Sequence, residues 1–235
     1  AYFRNDQYRL ARETYQRVAD TFPEGRLALR ARFQVGECLA GLGEDDAASA
    51  VFHGVAEAAS GTVLGEEALF RLGILRESQG QWTAAVEAFS RLMSVYTNGV
   101  LYAKALHGRG MVYYRDFKFG EAADDFERVV KQFPETEVAE QAFYMRGMSY
   151  YGMMRDQEAV KICRAFVERY PESQWLPEVY FWLGKYEYNR GRYAEAEKDF
   201  LKVADGKEER PLADDAFLWA GLSAIRAKEY VRALE

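Results

Sequence analysis

One spacing governs this sequence. Gly36, Gly73, Gly110, Gly147, Gly184 and Gly221 follow one another at intervals of 37 residues, with no insertion or deletion. Ala11, Ala48, Ala85, Ala122, Ala159, Ala196 and Ala233 keep the same interval. A third column reads Tyr15, Phe52, Phe89, Phe126, Cys163, Phe200, and a fourth Val18, Val55, Leu92, Val129, Phe166, Val203. A chain patterned this way folds by stacking one supersecondary unit on the next, because no unit can bury its apolar face alone. The 235 residues therefore read as a single array with no domain boundary. A partial repeat covers 1–28. Five full repeats cover 29–65, 66–102, 103–139, 140–176 and 177–213, and a last partial repeat covers 214–235.

Inside each unit the pattern is helical. Tyr180, Leu183, Gly184 and Glu187 share one face at i, i+3, i+4 and i+7. After Gly191, Tyr193, Ala196, Phe200 and Val203 make a second stripe. Gly43, Gly80 and Gly191 stand where a first helix ends, a place for positive φ. All five prolines (Pro23, Pro134, Pro171, Pro177, Pro211) fall between hairpins, where they break no helix. In the junction column Ser60, Thr97 and Glu208 take the places not held by Pro23, Pro134 and Pro171.

Each unit is thus expected to be a helical hairpin. Glycine in a helix interior costs roughly 0.5–1 kcal/mol relative to alanine, so six in register need a packing reason. The missing side chain lets the two helices approach, the alanine column does the same from the partner helix, and the aromatic column fills the space between hairpins. Tyr2–Tyr8 aligns with Tyr113–Phe119. The chain is therefore expected to begin at the tail of a first helix and to end, at Glu235, inside a second one, as a slice of a longer array.

Charge and residue usage remove several functions. Lys and Arg number 31 against 37 Asp and Glu, a net charge of −6; nucleic-acid binders carry a basic surplus instead. No apolar run approaches the ~20 residues that span a bilayer. Cys38 and Cys163 are too few for a disulfide framework and lack zinc-ligand spacing. His53 and His107 lie on different helices of different units, so neither a metal site nor a triad follows. Gly108 and Gly110 sit within a helix, the wrong context for a phosphate loop. The acidic pairs Asp45–Asp46, Asp124–Asp125 and Asp214–Asp215 read as solvated faces or as first-turn residues favoured by the helix dipole. Neither enzymatic activity nor a cofactor or metal is expected.

The residues Tyr180, Leu183, Gly184, Gly191, Tyr193, Ala196, Phe200 and Val203 resemble the signature of the tetratricopeptide repeat family, as do Leu69, Leu72, Gly73, Gly80, Trp82, Ala85 and Phe89. The resemblance covers the whole chain. The period departs from the family's usual length of about 34 residues, and the added residues are expected in the junctions. Phe-Pro-Glu-Thr at 133–136 and Tyr-Pro-Glu-Ser at 170–173 are similar to the junctions of bacterial envelope members. The resemblance implies a right-handed superhelical solenoid whose first helices line a concave groove. It separates Cys38 from Cys163 by several repeats, too far for a disulfide. Cys163, in the aromatic column, reads as a small buried hydrophobe, and Cys38 as structural.

The same resemblance points three columns of the first helices into the groove. Packing is expected to use Arg32, Leu69, Leu106, Phe143, Tyr180 and Phe217. The neighbouring column is Phe33, Phe70, His107, Tyr144, Phe181, Leu218; then come Glu37, Ile74, Met111, Met148, Lys185, Leu222, and beyond them Tyr114, Tyr151, Tyr188 and Ile225. Phe70, His107, Met111, Tyr114, Tyr144, Met148, Tyr151, Phe181 and Tyr188 are the candidate partner-binding residues. Apolar surface beyond what packing needs marks an interaction surface, and tyrosine suits one. Trp182 and Trp219, one period apart beside the groove, fit either core or site. The lysine–asparagine clamp of the family's chaperone-binding members is not matched, since Phe33, Phe70 and His107 replace the lysine and Glu37, Ile74 and Met111 the asparagine.

The reading is a non-enzymatic scaffold binding a protein or peptide partner in the groove, as an adaptor or assembly module of a bacterial envelope complex in the periplasm or at the outer membrane. Self-association into homo-oligomers and service as an accessory region of a larger enzyme are the alternatives.

Overall fold

The computed structural model describes residues 2–204 and 211–234, with side chains for 6–203 and 212–228. Glu208, Ala1, Glu235 and the side chain of Ala233 lie outside the described residues. All the regular elements among the described residues are α-helices, in two compact units, Ala1–Val138 and Ala139–Glu235.

The first unit holds α1 (Tyr2–Thr21), α2 (Arg26–Gly41), α3 (Asp45–Ala58), α4 (Val63–Ser78), α5 (Trp82–Val95), α6 (Tyr102–Arg115) and α7 (Phe119–Gln132). Three hairpins, α2/α3, α4/α5 and α6/α7, stack in order, and the first helices α2, α4 and α6 touch side by side. The second unit holds α8 (Ala139–Gly152), α9 (Asp156–Arg169), α10 (Leu176–Asn189), α11 (Tyr193–Ala204) and α12 (Pro211–Leu234). Here α8/α9 and α10/α11 are hairpins, and α12 packs on α11 and touches α10.

The glycine column meets the aromatic column directly. A Cβ added to Gly36 would lie 2.8 Å from the ring of Phe52; at Gly73 it would lie 2.6 Å from Phe89, at Gly110 2.8 Å from Phe126, and at Gly184 2.8 Å from Phe200. At Gly147 it would meet Cys163 Sγ at 3.0 Å. Gly36, Gly73, Gly110 and Gly184 are therefore each the seat of a ring on the second helix of the same hairpin, and Gly147 is the seat of a thiol. Phe89 also covers Gly108 of the next hairpin, where a Cβ would approach to 2.8 Å, so the ring fills space both within and between hairpins. Ala48, Ala85, Ala122, Ala159 and Ala196 are all fully buried. A further column at the same spacing, Ala31, Ala68, Ala105, Ala142, Val179 and Ala216, is buried throughout and was not singled out in the sequence.

The turn within each hairpin repeats as well. Gly43, Gly80 and Gly191 have φ of 77°, 70° and 73°, and the period carries the same conformation to Phe117 at 59° and Met154 at 58°. A side chain costs about 1 kcal/mol or more in this region. The geometry is held by a six-residue closure: the Lys118 N–H donates to the Tyr113 carbonyl and the Arg155 N–H to that of Tyr150, both at 2.9 Å, as Glu44 does to Leu39.

Two expected turns are absent. The period places them at Asp6 and Lys228, which would put α1 and α12 each across a hairpin corner. Both helices instead run straight through these positions. The i→i−4 ladder continues through both positions. In the packing column Leu69, Leu106 and Phe143 are buried as expected, whereas Arg32 and Phe217 are exposed. Arg32 reaches the Pro23 carbonyl at 3.3 Å.

Some junctions are held by carboxylates, buried at Glu66 and half-buried at Glu140. Glu66, at the start of α4, accepts the Leu101 N–H at 2.8 Å, and Glu140, at the start of α8, accepts the Ser173 hydroxyl. Asp125 corrects the reading of Asp124–Asp125 as a solvated pair. It lies on the inner face of α7 with Ala122, Phe126 and Val129, 3% exposed, and accepts Arg109 Nε at 2.7 Å and Nη2 at 2.8 Å. Cys163 and Cys38 are buried free thiols. Burial pushes the Cys163 thiol up to about 12 and raises that of Cys38, which leaves both unreactive.

Candidate partner-binding face

The candidate residues sit on the first helices, but with one edge in the core. Phe33 lies 5.4 Å from Phe52, Phe70 5.9 Å from Phe89, His107 5.7 Å from Phe126, and Phe181 5.6 Å from Phe200, centroid to centroid. Tyr144 reaches Phe166 instead, at 6.3 Å, because Cys163 replaces the ring one turn earlier. This column therefore both closes its hairpin and faces outward. Phe33 is buried, while Phe70, His107, Tyr144 and Phe181 are half-buried, as are Met111 and Met148.

In the first unit a cavity of about 360 Å³ opens on this face, lined by Phe33, Gln34, Glu37, Glu67, Phe70, Arg71 and Leu101. Arg71 pairs with Glu37 across it, joining α4 to α2. His107 continues the Phe33 and Phe70 column on α6, half-buried, with the Nε2 atom buried and lacking a hydrogen-bond partner. Burial pushes its pKa down to about 4. The unfolded chain holds this proton near pH 6.5, so between pH 6.5 and 4 the unfolded state binds more protons. The stabilisation is complete above about 6.5 and is lost as pH falls towards 4, by a maximum of about 3 kcal/mol. His107→Phe, the residue found in this column at positions 33, 70 and 181, should flatten that part of the stability–pH curve in urea titrations. An unchanged slope would show that His107 does not carry it.

The second unit is more aromatic. Tyr151, 51% exposed, meets Trp182 edge-on at 5.3 Å, and Trp182 stacks on Tyr186 at 5.9 Å. Tyr144 stacks on Trp175 at 5.2 Å and 11°. Tyr188 is wedged between Tyr193 at 5.2 Å and Trp219 at 5.1 Å. Trp182 and Trp219 thus join the tyrosine column, each packing on the tyrosine of the preceding first helix. Tyr114 packs on Phe119 at 5.3 Å. Of the three tyrosines in the column, only Tyr151 is largely free.

Sequence reasoning passed over Trp175, and placed Lys185 in a groove column without counting it among the candidate residues. The signal for Trp175 was an all-apolar column, Leu27, Leu64, Leu101, Val138, Trp175, Leu212. Lys185 is the one basic residue in its column, and its Nζ lies 4.8 Å above the Trp219 ring and 5.8 Å above that of Phe181. No described helix is long and apolar enough to cross a membrane, and no group of three His, Cys, Asp or Glu among the described residues could hold a metal ion.

Hairpins of this kind, stacked in register with small residues beneath aromatic ones, define a helical repeat protein. Residues 1–62 and 183–235 match the tetratricopeptide repeat family, and residues 65–183 match the family described as YfiO, outer membrane lipoprotein. The chain belongs to the tetratricopeptide repeat proteins and, through the just over half of its length that matches, to the YfiO outer membrane lipoprotein family. No curated protein matched the sequence. Among solved structures it is similar to MamA from Desulfovibrio magneticus RS-1, with a TM-score of 0.62 and 19% identity over 74% of this chain and 92% of that one. It is similar to YrrB, a TPR protein with an unusual peptide-binding site, with a TM-score of 0.63 and 16% identity over 87% and 98%. The apo form of RapI gives a TM-score of 0.76 at 14% identity over 94% and 68%. At these identities the likeness is one of fold.

Proposed function

We propose that this protein is a non-enzymatic interaction scaffold that binds a peptide or protein partner on the exposed face of its first helices. The observation that carries this reading is Tyr151, half exposed among partly buried aromatic and methionine residues. A side chain needed only for packing would not present this much ring to water. Phe70, His107, Met111 and Tyr114 supply the equivalent face of the first unit, and Tyr144, Met148, Tyr151, Phe181 and Tyr188 that of the second. The likeness to YrrB, a TPR protein with an unusual peptide-binding site, supports the mode. The outer membrane lipoprotein match supports a bacterial envelope setting, where the scaffold would serve assembly. The repeats are proposed to form one continuous array.

The test is selection of binders from a random peptide library, followed by titration against Tyr151→Ala. Loss of about tenfold or more in affinity with an unchanged melting temperature is expected. Equal affinity for every selected peptide would remove this face as the site. Tyr114 and Tyr188 are poorer probes, because each also packs on a neighbouring ring and its removal would cost stability.

One observation favours self-association as a second reading. On α12, Phe217, Leu218, Leu222 and Ile225 are exposed, and Gly221 has open space above it where the other glycines of its column meet a ring or a thiol. A molar mass by light scattering that does not change with concentration would count against it.

A further inference from the structure

We propose that the first-helix face of the second unit selects an extended peptide carrying an acidic side chain between apolar ones, and that Lys185 reads the acid. This rests on the groove reading above and names the ligand chemistry of that face.

Lys185 rises from α10 between two aromatic rings, Phe181 on its own helix and Trp219 on α12. It is exposed, and among the described residues it forms no ion pair. The carboxylate nearest in sequence, Glu187, is buried and already taken by Arg164, at 3.5 Å, and by Arg192. Asp199, also buried, is likewise held by Arg164 at 2.8 Å. On this hairpin Arg192 and Lys202 each pair with a buried acid, whereas Lys185 rests against two ring faces. Contact with two π-faces holds the ammonium in one place without cancelling its charge. An incoming carboxylate would find a positioned cation with apolar walls that shield the pair from water.

The flanks are apolar on both sides. Towards α8 lie Tyr151 and Trp182, in edge contact; towards α12 lie Trp219 and the exposed Leu218 and Leu222. Neighbouring helix axes lie about 10 Å apart and an extended chain advances about 3.3 Å per residue. One helix-to-helix step thus spans about three residues, which sets the distance from the acid to the apolar side chains on either side. Single-stranded nucleic acid could also stack on these rings and place a phosphate at Lys185. The net charge of −6 disfavours a polyanion and leaves a single carboxylate as the better fit.

The experiment uses the same random peptide library, selected in parallel on the unaltered protein, on Lys185→Met and on Lys185→Arg. Methionine keeps the apolar stem over the rings and removes the charge; arginine restores the charge. The expected result is an acidic residue enriched at one position between apolar ones on the unaltered protein and on Lys185→Arg, and lost on Lys185→Met. A selected peptide should bind Lys185→Met about five- to tenfold more weakly, and its Asn or Gln isostere should bind all three proteins alike. Binders with no acidic position would overturn this inference while leaving the groove reading intact. Failure to select any binder would overturn both. Binding of oligothymidylate as tight as that of the selected peptides, and equally dependent on Lys185, would replace the peptide with nucleic acid.

Discussion

Alanine at Gly73 should destabilise the first unit by about 1–3 kcal/mol, although alanine is the better helix former. Its Cβ would sit 2.6 Å from the Phe89 ring, whose room to retreat is limited because the same ring also closes over Gly108. The same exchange at Gly221, which has nothing within 4 Å, should stabilise its helix by about 0.5–1 kcal/mol. One substitution in one column thus changes sign with the neighbour. Phe89→Ala alone should cost about 3–5 kcal/mol, since the ring is fully buried. In the Phe89→Ala background, Gly73→Ala should no longer destabilise, because the added methyl enters the vacated space. Urea midpoints at constant slope measure all four proteins. A Gly73→Ala variant as stable as the parent would show that the ring is not seated on that glycine.

Removing Asp125 should be as damaging for a different reason. Its carboxylate is 4% exposed and its partner Arg109 is 18% exposed. The guanidinium gives both Nε and Nη2 to Asp125 and its remaining Nη1 to Ser90 at 2.9 Å. The hydrogen bonds to Asp125 hold the Arg109 pKa above its usual value. Asp125→Ala strands this charge under α7 and should cost about 3–5 kcal/mol. Replacing both partners by apolar residues of similar size, Arg109→Met with Asp125→Leu, should recover most of the loss, because the desolvation of both ions disappears with them. A loss below about 1 kcal/mol for Asp125→Ala would mean that water reaches the guanidinium and the pair behaves as a surface bridge.

The glycine, alanine and aromatic columns were legible because each answers one local demand repeated at a fixed interval. The ring needs a seat, the seat needs glycine, and register then brings the two together in every hairpin but the one where Cys163 replaces the ring. The turns at Phe117 and Met154 carried the same signal, since Gly43, Gly80 and Gly191 lie on that spacing. Residue type hid them, because phenylalanine and methionine do not announce positive φ. Asp125 was misread for a related reason: two adjacent acids look alike in sequence, yet a helix turns one inwards and leaves the other in water.

The candidate face was legible as columns and not as surface. Spacing identified which residues share a side of the first helices, but Phe33 is buried and Tyr151 is half exposed, and only the neighbouring rings decide that. Tyr188 lost its freedom to Tyr193 and Trp219, which come from two other helices. Lys185 gained its setting from Trp219 on the next first helix, a distance that no local pattern encodes.

The repeat itself determined the helical class and the hairpin unit, because an amphipathic helical face recurring at constant interval is buried by stacking one unit on the next, and the signature residues within it carried the resemblance to the family. Tertiary structure alone decided where that interval gives way. Straight helices replace turns at Asp6 and Lys228, an ion pair enters the core at Asp125, and the aromatic surplus divides into wedged and open rings. Each of these depends on what lies across from a residue, and periodicity along the chain fixes the residue without fixing how tightly its neighbour closes over it.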